Sequence, residues 1–186
     1  MKAVALLILL FSTGIAEAQT LRVHSVNVQE HHDFPKTIRF FCTQKYPRHE
    51  CARDVTTLLL ILRRYPVGNL GPWNFALVSS DEWRNLVTSV GLTAGSPAFS
   101  VLDNRTTVLE EALFSSSGRR RAELIRVFGT VDSSLLEQAV AHELGHVLCG
   151  EADEDRAAWN GQDLFAARTL TCLENKQCMH AEARCH

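Results

Sequence analysis

The chain has 186 residues, of which 46% are hydrophobic and 22% charged, and a formal net charge of −2. That length suits one domain and hardly two, and the composition is that of an ordinary globular protein. A charge so close to neutral leaves no electrostatic footprint for nucleic acid or an anionic membrane surface, so both partner classes are set aside.

The N-terminus reads as an export signal. Lys2 provides a short positive start, and AVALLILLF at 3–11 is an apolar stretch too short to span a bilayer. Ala16 and Ala18 are small residues at the positions a signal peptidase reads. Cleavage is expected after Ala18, leaving 19–186 as a single domain in a secreted or periplasmic location. The alternative is a membrane-anchored N-terminus. Export also decides how the six cysteines are read. Cys42, Cys51, Cys149, Cys172, Cys178 and Cys185 form an even set bound for an oxidising compartment, which favours disulfides over thiolate metal ligands. Cys42 and Cys51 are a natural pair by proximity; the pairing of the other four stays open.

TIRFFC at 37–42 is β-branched and aromatic and reads as a strand. In the following stretch, 48–65, Cys51, Val55, Leu58, Leu59 and Leu62 recur at helical spacing, and Pro66 ends the run. WNFALVSS at 73–80 is a second strand, after which Ser80 is expected to cap a helix carrying Asp81 and Glu82 in its first turn. A hairpin follows at 98–114, its polar turn at Asp103, Asn104 and Arg105. The sequon beginning at Asn104 matters only in a eukaryotic host. SSSGRRR at 115–121 reads as a loop with a solvated basic run, a processing site being the lesser reading. A short helix then ends at Gly129. Ser134 and Glu137 have capping-box spacing before a helix that runs to Cys149. Gly150 is its expected left-handed stop, and a last helix spans about Asp153 to Ala167. With no internal repeat or linker, the expected class is α+β: a small mixed sheet packed on helices.

The chemistry concentrates in AHELGHVLCGEADE, 141–154. Residues four apart share a helix face, so His142 and His146 aim their imidazoles at one point. Glu143 is turned from His142 by roughly 100° and can stand beside an ion as a general base without ligating it. Zinc suits a nitrogen-rich tetrahedral set with a fourth position for water, which it acidifies. Val140, Leu144, Val147 and Leu148 make this a core helix, where two histidines and a glutamate would be costly without partners. A third ligand is expected among the carboxylates behind Gly150. Glu154 is the first choice, because it falls in the first turn of the returning helix and Ala157 and Ala158 let that helix approach closely. Asp153 comes next, then Glu151.

HELGH resembles the active-site motif of the zincin metallopeptidases. The order of elements from Thr37 is similar to the N-terminal half of that fold, in which an edge strand pairs with an extended peptide substrate; the hairpin at 98–109 would supply it. A Glu on a following helix is the gluzincin pattern, which Glu154 matches in type, although many gluzincins place that Glu further downstream. Some carry an Asp where Ala158 stands. The metzincin pattern fails, since Gly150 and Asp153 each fall one position late, and Met179 reads as loop filler rather than a methionine turn. The compact arrangement also resembles small secreted bacterial proteins of gluzincin type, which bring no assigned substrate. The resemblance implies a zinc peptidase with Glu143 as general base, His142, His146 and Glu154 as ligands, and a peptide or protein substrate. Two alternatives are an inactive metal-binding or protein-interaction module and a disulfide-held structural domain. His31 and His32 could form a second metal site but read better as solvated. His180 or His186 could contact a tetrahedral intermediate. Tyr46 and Tyr65 are the only tyrosines and neither follows the motif, so no oxyanion stabiliser is named.

Overall fold

A computed structural model describes residues 4–8, 20–26, 34–68, 70–93, 95–168, 171–172 and 184–185. Its strands are β1 (Val4–Ile8), β2 (Thr20–Val26), β3 (Ile38–Thr43), β4 (Trp73–Val78), β5 (Ala98–Val101), β6 (Thr106–Glu110), β7 (Thr171–Cys172) and β8 (Arg184–Cys185). The helices are α1 (Arg48–Leu62), α2 (Ser80–Ser89), α3 (Arg119–Phe128), α4 (Leu135–Cys149) and α5 (Glu154–Ala167). The first six strands form one mixed sheet in the order β1-β2-β3-β4-β6-β5, while β7 and β8 pair separately. The class is α+β, as expected. Of the segment read as a signal peptide, only β1 is described, and it pairs antiparallel with β2 at the margin opposite β5.

The central strands alternate their apolar side chains between two cores, the period-two pattern of a sheet covered on both faces. Phe40, Cys42, Phe75, Leu77 and Leu109 face the larger core, shared with Leu58 and Leu62 of α1 and Leu144 and Val147 of α4. Phe41, Ala76, Val78 and Val108 face the smaller one, closed by Trp83, Leu86 and Val87 of α2. The strands β3, β4 and β6 run parallel, and β5 turns back antiparallel to β6, so the hairpin expected at 98–114 forms an edge of the sheet. Cys42–Cys51 ties β3 to the first turns of α1, and Cys149–Cys172 ties the last residue of α4 to β7, across sequence separations of 9 and 23. Closing loops of that size restricts the unfolded chain by about 3 kcal/mol each.

Three local expectations shift. The residue before α2 is Ser79, not Ser80, and its hydroxyl donates to Glu82 Oε2 at 2.7 Å. Ser134 holds the N-cap position of α4 without a side-chain capping bond: it closes a 3₁₀ turn and bonds Thr130 and Val131, while Glu137 is drawn off by Arg64, Arg168 and Tyr65. The basic run is a solvated loop only in part: 115–118 form a largely exposed loop, but Arg119–Arg121 open α3. Cations there oppose the helix dipole, and acidic partners offset the cost. Arg120 lies on Glu110 at 3.0 Å, and buried Arg121 donates to Asp132 at 2.6 Å and to the Leu113 carbonyl at 2.8 Å.

The contact that positions the predicted ligand residues is α4 against α5. Gly150 ends α4 in the left-handed region at φ 61°, and Asp153 starts α5 by accepting the Arg156 amide at 3.0 Å. The two helices then meet at glycines. A Cβ on Gly161 would stand 2.6 Å from His142 Cα and 2.9 Å from His142 N, and one on Gly145 would strike the Ala157 carbonyl and lie 2.9 Å from Gly161 N. These neighbours are backbone atoms and cannot rotate away. Gly161→Ala is therefore expected to destabilise the protein by about 1–3 kcal/mol through overpacking. Gly68→Ala, where a Cβ meets nothing within 4 Å, should stay within about 0.5 kcal/mol. Urea unfolding of the two variants checks this; equal midpoints would remove the glycine contact as the cause of the close approach.

Candidate metal centre

His142 and His146 fall one turn apart on α4, with ring centroids 5.0 Å apart and planes inclined at 79°. Glu154, the first residue of α5, places Oε2 3.2 Å from His142 Nε2 and 3.5 Å from His146 Nε2. One ligand atom from each of the three lies within 4.8 Å of the others, so the group could hold a metal ion. His146 Nδ1 is 2.7 Å from the Glu151 carbonyl oxygen. A carbonyl only accepts, so Nδ1 carries the proton and donates it. In the neutral ring the lone pair is then on Nε2, which faces Glu154. His142 is held below the usual histidine range, first by burial and then by the neighbouring His146. Neutral imidazole nitrogens and a carboxylate oxygen converging on one point are all electron-pair donors, and a cation between them satisfies all three.

Glu151 and Asp153, the other candidates behind Gly150, are engaged elsewhere. Glu151 is buried and gripped by Arg156, with Nε 2.8 Å from Oε2 and Nη2 3.1 Å from Oε1. It also accepts the Asp153 amide at 2.8 Å. Asp153 is the N-cap of α5. Both brace the turn that delivers Glu154, whose side chain is 75% exposed and has room to move onto an ion.

Glu143 points to a different environment. It is buried, and Ser100 of β5 donates its hydroxyl to Glu143 Oε2 at 2.7 Å. Ser100 is in turn 2.8 Å from Thr107 Oγ1, and Thr107 accepts the Trp73 indole N–H at 3.0 Å. Burial pushes the Glu143 carboxyl up to about 8; the Ser100 hydrogen bond works against that, and the charge of Glu154 adds to it. Glu143, both histidines and Glu154 line one open cleft of roughly 1240 Å³. Its floor and walls include Ala98 to Leu102, Phe128, Leu135, Ala139 and Phe165, so β5 runs along the site.

A second cluster of ligand-type side chains, His24, Cys42 and Cys51, is no metal site, since its two sulfurs are joined to each other. Both tyrosines are committed away from the cleft: Tyr46 donates to Asp54 at 2.8 Å, and Tyr65 bonds Glu137 and Arg168. His31, His32, Cys178, Met179, His180 and His186 lie outside the described residues. Sequence reading missed Gly145, Gly161, Ser100, Thr107 and Trp73. Only the two glycines carried a signal, as helix-weakening residues inside otherwise strong helical patterns.

No family model, curated protein or solved structure matches the chain.

The Glu143 carboxyl gives the metal-free protein a pH dependence of defined sign. Its ordinary value is 4.5, and in the fold it is raised to about 8. Between those limits the folded state binds more protons than the unfolded chain, so this group's contribution is complete at low pH and is lost as pH rises. Metal-free wild type should lose stability relative to Glu143→Gln as pH goes from roughly 5 to 8. Taking the difference between the two proteins cancels the groups common to both. A stability difference that is constant across that range, in urea melts, would show that the carboxyl ionises freely.

Proposed function

We propose that the protein is a secreted zinc peptidase of zincin type, hydrolysing peptide bonds with His142, His146 and Glu154 as metal ligands and Glu143 as general base. The observation that carries this reading is the convergence of three electron-pair donors within 4.8 Å, with a fourth, buried carboxylate next to them in the same cleft. A two-nitrogen, one-oxygen donor set suits zinc and leaves room for solvent. When bound, zinc supplies a Lewis acid that polarises a carbonyl and makes water a stronger acid. Glu143 takes the proton of the attacking water and returns it to the leaving amine, and a carboxyl raised toward neutrality is suited to both transfers. The third ligand, on a following helix, is the gluzincin arrangement in compact form.

The substrate is a peptide or protein in extended form. The strand β5 is the outermost member of its end of the sheet, so one row of its main-chain groups is open to another strand. Apolar cleft residues such as Leu102, Phe128 and Phe165 suit apolar side chains of such a strand. Two disulfides fit an oxidising, extracellular or periplasmic compartment, and no helix among the described residues is long and apolar enough to cross a membrane. Cleavage after Ala18 belongs to this proposal. It would remove β1 at the far margin of the sheet and leave β5, α4 and α5 untouched.

Protein secreted through an oxidising compartment should carry about one zinc per chain by elemental analysis. Glu154→Ala should weaken zinc affinity by at least about tenfold, and His142→Ala with His146→Ala should abolish binding. Glu143→Ala should keep the metal and lose hydrolysis of a proteome-derived peptide library. Zinc without turnover in the wild type would leave a metal-binding module. Zinc well below stoichiometry, or unaffected by loss of both histidines, would leave a structural domain held by its disulfides.

A further inference from the structure

Ser100 is the one side chain that touches Glu143 from outside its own helix through a hydrogen bond among the described residues. With Glu143 ionised, the form its proposed role as base requires, the polar thread behind Ser100 has a fixed sense. The Trp73 indole N–H only donates, so Thr107 Oγ1 accepts there at 3.0 Å. An ionised Glu143 only accepts, so Ser100 must spend its single proton on Glu143 Oε2. The remaining contact, 2.8 Å between Thr107 Oγ1 and Ser100 Oγ, then takes its proton from Thr107. Every hydroxyl is satisfied in one direction only, from the buried indole toward the cleft. Trp73 is 1% exposed and Thr107 1% exposed, so the start of the thread is fixed by the core of the sheet.

We infer that Ser100 is a positioning residue for Glu143, holding one carboxylate oxygen so that the other is presented to the reacting proton. This rests on the proposed role of Glu143. Ser100 does not touch the histidines or Glu154 through any hydrogen bond or ion pair in the described residues, so its role is separable from metal binding. The strand that carries it is also the one proposed to receive the substrate. The same short element thus sets both the base and the scissile bond, with the Ser100 side chain turned to α4 and its backbone at the sheet edge.

The test compares zinc-loaded wild type, Ser100→Ala and Ser100→Thr on the peptides that the wild type cleaves in a proteome-derived library. The alanine variant should keep its zinc and its KM within about twofold, with kcat lowered roughly 10- to 100-fold, and threonine should restore most of the loss because it keeps the hydroxyl. Unchanged kcat in Ser100→Ala, a loss confined to KM, or equal losses in Ala and Thr would overturn the inference. Should the wild type cleave nothing, the peptidase reading fails on its own account. The positioning claim is then decided by the carboxyl carbon resonance of Glu143 in 13C-glutamate-labelled protein, assigned with Glu143→Gln. That resonance should move in Ser100→Ala and stay in place in Ser100→Thr; no movement in Ser100→Ala overturns it.

Discussion

The site depends on how closely two helices can lie. Glu154 reaches the imidazoles of α4 because nothing but hydrogen occupies the α-carbons of Gly145 and Gly161 where the helices meet. A glycine inside a helix costs about 1 kcal/mol relative to alanine. One such position in each therefore weakens each helix in isolation, and the tertiary contact they permit offsets it. Ala157, wholly buried on the same face, continues the narrow seam. The turn at 151–153 does the rest. Glu151 and Arg156 clamp it, Asp153 caps the new helix, and the Glu151 carbonyl fixes the ring of His146. Residues outside the triad thus determine where the Glu154 carboxylate goes.

Two carboxylates in one cleft have opposite surroundings, and that difference separates their proposed roles. Glu154 is exposed and faces imidazole nitrogens, so its carboxylate oxygens are open to a cation. Glu143 is buried against the sheet with a serine hydroxyl as its one hydrogen-bond donor from the described residues, an environment that favours the protonated form. A carboxylate that ionises near neutrality can both accept and release a proton, whereas a freely ionised one accepts weakly. The sheet supplies this environment through Thr107 on the neighbouring strand β6 and Trp73 on β4 beyond it, so the surroundings of the cleft are set partly by the interior packing of the fold.

Much of this was readable from the chain. The helical spacing of His142 and His146, the stop at Gly150 and the first-turn position of Glu154 are local properties, and the structure brings those three side chains together. The strand and helix order was legible for the same reason, since period two and period 3.6 are written in consecutive residues. Contacts between residues far apart in sequence were not. Ser100 and Glu143 are 43 residues apart, and no pattern near either one announces the other. The capping box at Ser134 failed because Glu137 had stronger long-range partners in Arg64 and Arg168. The arginines at 119–121 looked solvated because Glu110 and Asp132 lie about ten residues away on either side and only the fold makes them neighbours.

The remaining question of cause is whether a metal would build this arrangement or find it built. In small zinc-dependent domains the ligands are scattered in the apoprotein and the ion supplies the folding free energy. Here the candidate ligands sit on two helices already joined by backbone-to-backbone packing, with α4 pinned at its end by Cys149–Cys172 and buried along its length by Leu144, Val147 and Leu148. The larger core that contains them spans both helices and the sheet. Those terms act without an ion. His146 is oriented by a carbonyl rather than by a metal, and Glu154 by the start of its helix. The donors are thus placed by the fold, and the free energy of binding an ion would go mainly into affinity rather than into assembling the site.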